Sequence, residues 1–280
     1  MDNFRIGTCS WNYESWVGLI YSEPSRTAAG YLFDYAKRFR CAEVDSFFYR
    51  LPESGDVFDY LGAVDEDFRF TIKVTEDITL THQRNRGSKQ LVPNSFFLSA
   101  ELFSAYLDRI EPMLPRVDAV MLEFEYLNKD KMKDLGAFMK ALEGFTKSVP
   151  EGVPLAIETR NKNYLTKEYF QFLREKKIIH VFSEKLYLPH VYEVYETFGD
   201  LLSGLSVIRL LGGDRKEIEA KTGEKWNSIV DEKPDKARIA EMTKTIIYRG
   251  GKAVININNH YEGSAPLTAE YFERELGSAG

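Results

Sequence analysis

A chain of 280 residues, 44% hydrophobic and 29% charged, has the make-up of an ordinary globular protein with ample material for a core. With 37 basic against 43 acidic residues the net charge is −6, which excludes a general basic surface for a nucleic-acid backbone and leaves that partner only a local basic cleft. The start, MDNFRIGTCSW, has no basic leader before an apolar run, and no stretch of about 18 apolar residues occurs, so the expectation is a cytoplasmic protein without a membrane segment.

Short β-branched or aliphatic runs alternate with amphipathic stretches along the whole chain, the signature of repeated βα units. The expected strands are FRIGTC at 4–9, CAEVDS at 41–46, FRFTIKV at 68–74, AVMLEF at 119–124, PLAIE at 154–158, IIHVFS at 178–183, LSVIRL at 205–210 and AVININ at 253–258. Helices are expected over 29–39, 95–110, 131–146, 166–176, 235–248 and 268–276, with Ser95, Asp130 and Thr166 as N-caps. In the second of these, Phe96, Phe97, Ala100, Phe103, Leu107 and Ile110 share one face. The units at 56–64 and 190–203 are only loosely periodic. Eight strands with helices between them predict a single-domain (β/α)8 TIM barrel over residues 1–280, with an open doubly wound sheet as the alternative. Long polar connections at 75–94 and 212–233 follow strands three and seven and would overhang one barrel face.

Sites in such barrels are built at the carboxyl ends of the strands. There the sequence supplies Ser10 and Trp11, Glu43 and Asp45, Lys73, Glu123 and Glu125, Glu158 and Arg160, Ser183 and Glu184, Arg209, and Asn256, Asn258, Asn259 and His260. A charge within an apolar strand must be paired or functional. Glu43, Lys73, Glu158 and Arg209 are therefore expected to be neighbours, either as a structural ion-pair layer or as a site. Lys73 and Arg209 would hold a phosphate, sulfate or carboxylate, Arg209 by its two-pronged geometry. Glu123 and Glu158, on adjacent strands about 4.8 Å apart, would suit acid and base roles. Of four histidines, His82 and His260 follow strands and are site candidates, whereas His180 lies early in strand six and His190 in a loop. Trp11, Tyr13, Trp16, Phe47, Phe48 and Tyr49 would wall a pocket or cover the barrel mouth. Cys9 and Cys41, without CxxC spacing, read as buried thiols. Too few His and Asp/Glu converge for a metal centre, and no GxGxxG, P-loop, GxSxG or HExxH sequence occurs.

With these residues in view, the chain resembles the YecE-like family, a domain of unknown function (number seventy-two). The resemblance is carried by GTCSWNY at 7–13 with Trp16, AEVDSFFYRLP at 42–52, FRFTIKV with Thr81 and His82, IETRNKNY at 157–164, VIRLLG at 207–212 and NINNHYEGSAP at 256–266. It implies the barrel fold and no specific activity. Glu43, Tyr49, Arg50, Lys73, His82, Glu158, Arg160, Arg209, Asn258, Asn259 and His260 match its polar pattern. Three positions depart from it: Glu123-Phe124-Glu125 stands where a Gln-Pro-Pro run is usual, Tyr164 replaces a Trp and Leu211 a His.

Together these readings predict a metal- and cofactor-independent enzyme, a hydrolase or isomerase, acting by acid/base chemistry on a small anionic substrate. Catalytic candidates are Glu43, Lys73, Glu158, Arg209 and His260, with Glu43 orienting Lys73; substrate-binding candidates are Trp11, Tyr13, Tyr49, Arg50, His82, Arg160, Asn258 and Asn259. The alternatives are a non-catalytic barrel that binds a ligand or nucleic acid through Arg50, Arg84, Arg86 and Lys89, and a glycosidase using Glu123 with Glu158.

Overall fold

The computed structural model describes residues 3–84 and 90–277, and Arg86 and Lys89 of the expected basic groove lie outside that set. Eight parallel strands run in the order β1-β8-β7-β6-β5-β4-β3-β2. They are β1 (Phe4–Thr8), β2 (Cys41–Val44), β3 (Arg69–Lys73), β4 (Val117–Glu123), β5 (Leu155–Glu158), β6 (Ile179–Lys185), β7 (Leu205–Gly212) and β8 (Lys252–Ile257). The helices are α1 (Ala28–Tyr35), α2 (Ser54–Gly62), α3 (Glu76–Thr79), α4 (Ala100–Ile110), α5 (Leu135–Thr146), α6 (Lys167–Lys176), α7 (Val191–Phe198), α8 (Arg215–Thr222), α9 (Lys236–Tyr248) and α10 (Ala265–Gly277). This is the expected (β/α)8 barrel, and the open sheet is set aside because β1 pairs in register with β8.

Closure is completed between β1 and β2 by a single bridge, Cys9 to Glu43, with Ser10 N–H donating to the Glu43 carbonyl at 3.1 Å. Gly7 makes this seam possible. A Cβ there would sit 2.2 Å from the Cys41 carbonyl oxygen, far inside contact distance.

Strand alternation separates two apolar regions. Val120, Leu122, Ile157, Phe182, Ile208 and Ile255 belong to the large cluster beneath the helices, whereas Ala119, Met121, Ala156, Val181 and Val207 form a small separate cluster filling the barrel interior. Moving two residues toward the carboxyl end keeps the same face. Met121 thus leads to Glu123, Ala156 to Glu158, Val181 to Ser183 and Val207 to Arg209, and the interior changes from apolar to ionic in one step.

Two expected helix starts are displaced. Leu98 takes a left-handed φ of 51°, which an α-helix cannot contain, so α4 begins later and is capped by Ser99, whose side chain accepts from Leu102 N–H. Phe96 consequently lies outside the helix and is 51% exposed rather than packed with Phe103. Asp134, not Asp130, caps α5 by accepting from Ala137 N–H at 2.8 Å, while Thr166 caps α6 as expected. The two loosely periodic units do form helices, α2 and α7. The polar connection after β7 contains α8, and among the described residues no helix is long and apolar enough to cross a membrane.

Candidate functional site

Arg209 stands at the centre of the mouth on β7, almost wholly buried. Its Nε and Nη2 donate to Glu43 Oε2 at 2.8 Å and Oε1 at 2.6 Å, a two-pronged pair across the barrel. Its Nη1 donates to Glu123 Oε2 at 2.8 Å and also to Glu158 Oε2. Arg160, at the end of β5, ties the same two carboxylates from above, Nη2 to Glu123 Oε1 at 3.0 Å and Nη1 to Glu158 Oε1 at 2.8 Å. Lys73 Nζ lies 2.9 Å from Asp45 Oδ1, 3.0 Å from Glu123 Oε2 and 4.0 Å from the centre of the Phe48 ring. Ser183 Oγ donates to Glu158 Oε1 at 2.6 Å, and Asn256 Nδ2 donates to Glu43 Oε2 at 3.1 Å and Thr71 Oγ1 at 2.8 Å.

The register explains this convergence. Glu123 pairs with Glu158, Ser183 with Arg209, and Arg209 with Asn256 as Cα partners on neighbouring strands, so the five strands β4 to β8 each present a polar group toward the mouth.

Burial sets the electrostatics. It pushes the Glu43 carboxyl up to about 7, against the pull of Arg209. Burial would also raise Glu123, but Lys73, Arg209 and Arg160 outweigh it and hold that carboxyl well below the usual range. For Lys73 burial works against the charge, and Glu123 with Asp45 overrides it, so its ammonium is held above its ordinary value. Cys9, beside this network at the end of β1, is pushed up by burial and by Glu43, which leaves it a neutral thiol.

One cation differs from the rest. The ammonium of Lys185, the last residue of β6, has no hydrogen bond or ion pair among the described residues, although the charges of Arg160, Glu158, Glu123 and Arg209 all reach it. Burial, then Arg160, depress its pKa. It borders a cavity of about 250 Å³ between the ends of β6 and β7, together with Tyr187, His190, Gly213 and Tyr261. The sequence reading passed over it.

His260 occupies the other flank. Its Nδ1 meets Asn258 Oδ1 at 2.6 Å, and the same oxygen accepts the His260 backbone N–H at 2.9 Å. That oxygen is therefore an acceptor and Nδ1 carries a proton. The Nε2 faces Glu219 Oε1 of α8 at 3.2 Å, and the Trp226 ring packs 4.7 Å away. Burial lowers the His260 pKa, partly countered by Glu219.

The expected site residues divide accordingly. Glu43, Lys73, Glu158, Arg160 and Arg209 come together, joined by Asp45, Glu123, Ser183 and Asn256. Glu43 orients Arg209 rather than Lys73. Trp11 is buried, donating to the Ala28 carbonyl and meeting Tyr60 edge-on; Asn259 Oδ1 accepts from Ala265 N–H at the start of α10. Arg50 turns to Asp56 at 2.6 Å and Glu53 at 3.2 Å. Tyr13 packs at a tilt against Trp16, and Tyr49 is 71% exposed at the rim. His82 Nδ1 meets Thr81 Oγ1 at 3.0 Å and has no contact with the cluster among the described residues, and Arg84 pairs with Glu76 at 2.6 Å. Of the departures, Tyr164 is buried against Phe138 and Leu211 is buried in β7.

Solved structures confirm the architecture. A DUF72 family protein from Thermotoga maritima superposes with a TM-score of 0.69 at 20% identity, covering 98% of this chain and 99% of that one. One from Enterococcus faecalis V583 gives 0.69 at 19%, covering 98% and 95%. The UPF0759 protein YecE of Escherichia coli K12 is 24% identical over 162 residues, 58% of this chain, so the aligned region spans only about half, 50%, of that curated relative. The model of the family described as "Protein of unknown function DUF72" matches residues 5–280, and the chain belongs to that family.

Proposed function

We propose that the protein is an enzyme using acid/base chemistry on a small anionic substrate at the carboxyl-end mouth of the barrel. The observation that carries this reading is the convergence there of Lys73, Arg160, Arg209 and Lys185 with Glu43, Asp45, Glu123 and Glu158, in which Lys185 alone lacks a hydrogen-bond or ion-pair partner among the described residues. A purely structural ion-pair layer gains nothing from a half-buried, unpaired ammonium.

The roles follow from accessibility. Arg209 and Lys73 are the deepest cations and already serve carboxylates, so an anion entering from solvent meets Lys185 and Arg160 first. Lys73 and Arg209 complete the clamp by their field and by holding Glu123 and Glu158. Glu158, next to both guanidinium groups, is the principal acid or base, and His260 the second proton carrier once its Nε2 leaves Glu219. This chemistry requires no cofactor. A glycosidase is less well supported, because the two guanidinium groups bridge Glu123 and Glu158 and occupy the space a glycosidic oxygen and water need. A nucleic-acid groove is also less well supported, since Arg50 and Arg84 are spent on Asp56, Glu53 and Glu76.

The test is a crystal soaked in sulfate or phosphate, with binding to the dissolved protein measured in parallel. An anion within hydrogen-bond reach of Lys185, Arg160 or Lys73, competed by small carboxylates, supports the reading. Binding without turnover of any carboxylate or phosphate ester would move the protein to the non-catalytic class, and an unliganded mouth at saturating sulfate would overturn the anion site.

A further inference from the structure

The mouth holds two lysines in opposite surroundings. Lys73 is fixed by Asp45 and Glu123 and lies over the Phe48 ring, so its nitrogen is a permanent cation. Lys185 ends β6 two residues beyond Ser183, which reaches Glu158, and the charges of Glu158, Glu123, Arg160 and Arg209 act on its ammonium. A register irregularity places it opposite Gly212, which carries no side chain to cover it. The charge of Lys185 acts in turn on His260, and the residue lines the cavity of about 250 Å³.

We propose that Lys185 is an amine nucleophile that condenses with the carbonyl group of a small oxo-acid in this cavity to form a protonated imine. The proposal rests on the reading of the mouth as an anion-accepting acid/base site and names its chemistry. A lysine becomes nucleophilic when desolvation and neighbouring cations favour the neutral amine, and both conditions act on Lys185: burial first, then Arg160. With the amine neutral, Arg160, more exposed than Lys73 or Arg209, is the cation that a carboxylate-bearing substrate meets first.

The step balances without a redox partner. The neutral Nζ lone pair attacks the carbonyl carbon; the C–N bond forms as the carbonyl π pair moves to oxygen, which takes up a proton. The nitrogen gives up one of its protons, and the hydroxyl oxygen leaves as water after receiving another, so that amine, carbonyl and one proton yield the protonated imine and one water. His260, whose Nδ1 proton is fixed by Asn258, exchanges protons at Nε2, and the mouth carboxylates accept the proton shed by nitrogen.

The experiment treats the full chain with pyruvate and sodium cyanoborohydride near neutral pH, followed by intact mass measurement and peptide mapping. The expected result is one reduced adduct on Lys185, formed at least about tenfold faster than on exposed lysines such as Lys225, the enrichment expected where burial and neighbouring cations favour the neutral amine. Lys185→Arg, which keeps a cation, should lose the adduct while its circular dichroism and melting temperature match those of the parent. Adducts distributed over surface lysines according to exposure, with Lys185 not enriched, overturn the proposal. A parallel titration of pyruvate without reductant separates the two levels. Saturable binding that weakens in Lys185→Arg, with no adduct, overturns the nucleophile and leaves the anion site standing; neither binding nor adduct overturns both.

Discussion

Arg209 grips both carboxylate oxygens of Glu43 from the far side of the barrel, Nε at 2.8 Å and Nη2 at 2.6 Å, although 166 residues separate them. Removing one side of a buried pair leaves the other charged and desolvated, so Arg209→Met should cost about 3–5 kcal/mol of unfolding free energy. Arg209→Lys should recover only part of it, since an ammonium cannot reproduce the planar fork that serves Glu43, Glu123 and Glu158 together. Urea unfolding of the two variants checks this; a loss under about 1 kcal/mol in Arg209→Met would show that the network is worth little to the fold.

Glu43 makes the protein's stability fall with rising pH. Folding raises its pKa from an ordinary carboxyl value to about 7, so the folded state binds a proton there that the unfolded chain releases. Its contribution is full below the unfolded pKa and is lost as pH rises through about 7, a swing on the order of 3 kcal/mol. Glu43→Gln should flatten the wild-type decline in urea midpoint between about pH 5 and 8. Parallel profiles for the two proteins would refute this assignment.

His180 acts with the opposite sign. It is buried on β6 between Phe170 and Phe182, 4.9 and 4.7 Å away, and burial lowers its pKa to about 3. The contribution of the neutral ring is present above the unfolded value near 6.5 and is lost as pH falls toward 3. His180→Phe should resist acid better than the parent between those limits, measured by tryptophan fluorescence across an acid titration. An unchanged acid midpoint would place the acid sensitivity elsewhere.

Gly7→Ala should disrupt the seam. Its Cβ would lie 2.2 Å from the Cys41 carbonyl oxygen and 2.8 Å from the Cys41 sulfur, so β1 and β2 must separate, at a cost above about 2 kcal/mol. Hydrogen exchange at the Ser10 amide, which bonds to the Glu43 carbonyl, should accelerate before that of β4 or β5 amides. Protection at Ser10 equal to the parent's would mean that the seam tolerates the methyl group.

The sequence made the barrel readable because its strands carry period-two patterning with a polar residue two positions beyond an apolar one, as in Met121 to Glu123 and Val207 to Arg209. Helix starts were less legible, since the left-handed backbone at Leu98 overrides the phenylalanine periodicity around it. Ionic residues inside strands identified most of the cluster, yet composition could not tell Glu43 with Arg209 from Glu43 with Lys73: both cations lie on strands, and only register and side-chain reach decide. Trp11, Arg50 and Asn259 share motifs with the cluster but serve packing, a helix start and a turn. Lys185 was missed because a lysine after Ser-Glu at a strand end reads as solvated polarity, and what exposes it is an irregularity between β6 and β7.

The single bridge between Cys9 and Glu43 has a consequence for the order of assembly. The backbone of Glu43 fastens the last seam while its side chain receives a guanidinium from the seventh strand, so joining the ring and neutralising its interior charge depend on the same residue. A nascent chain that has not yet delivered Arg209 keeps its carboxylates in water and gains little by bringing its ends together. Sealing of the ring and arrival of its seventh strand are thereby tied to one residue.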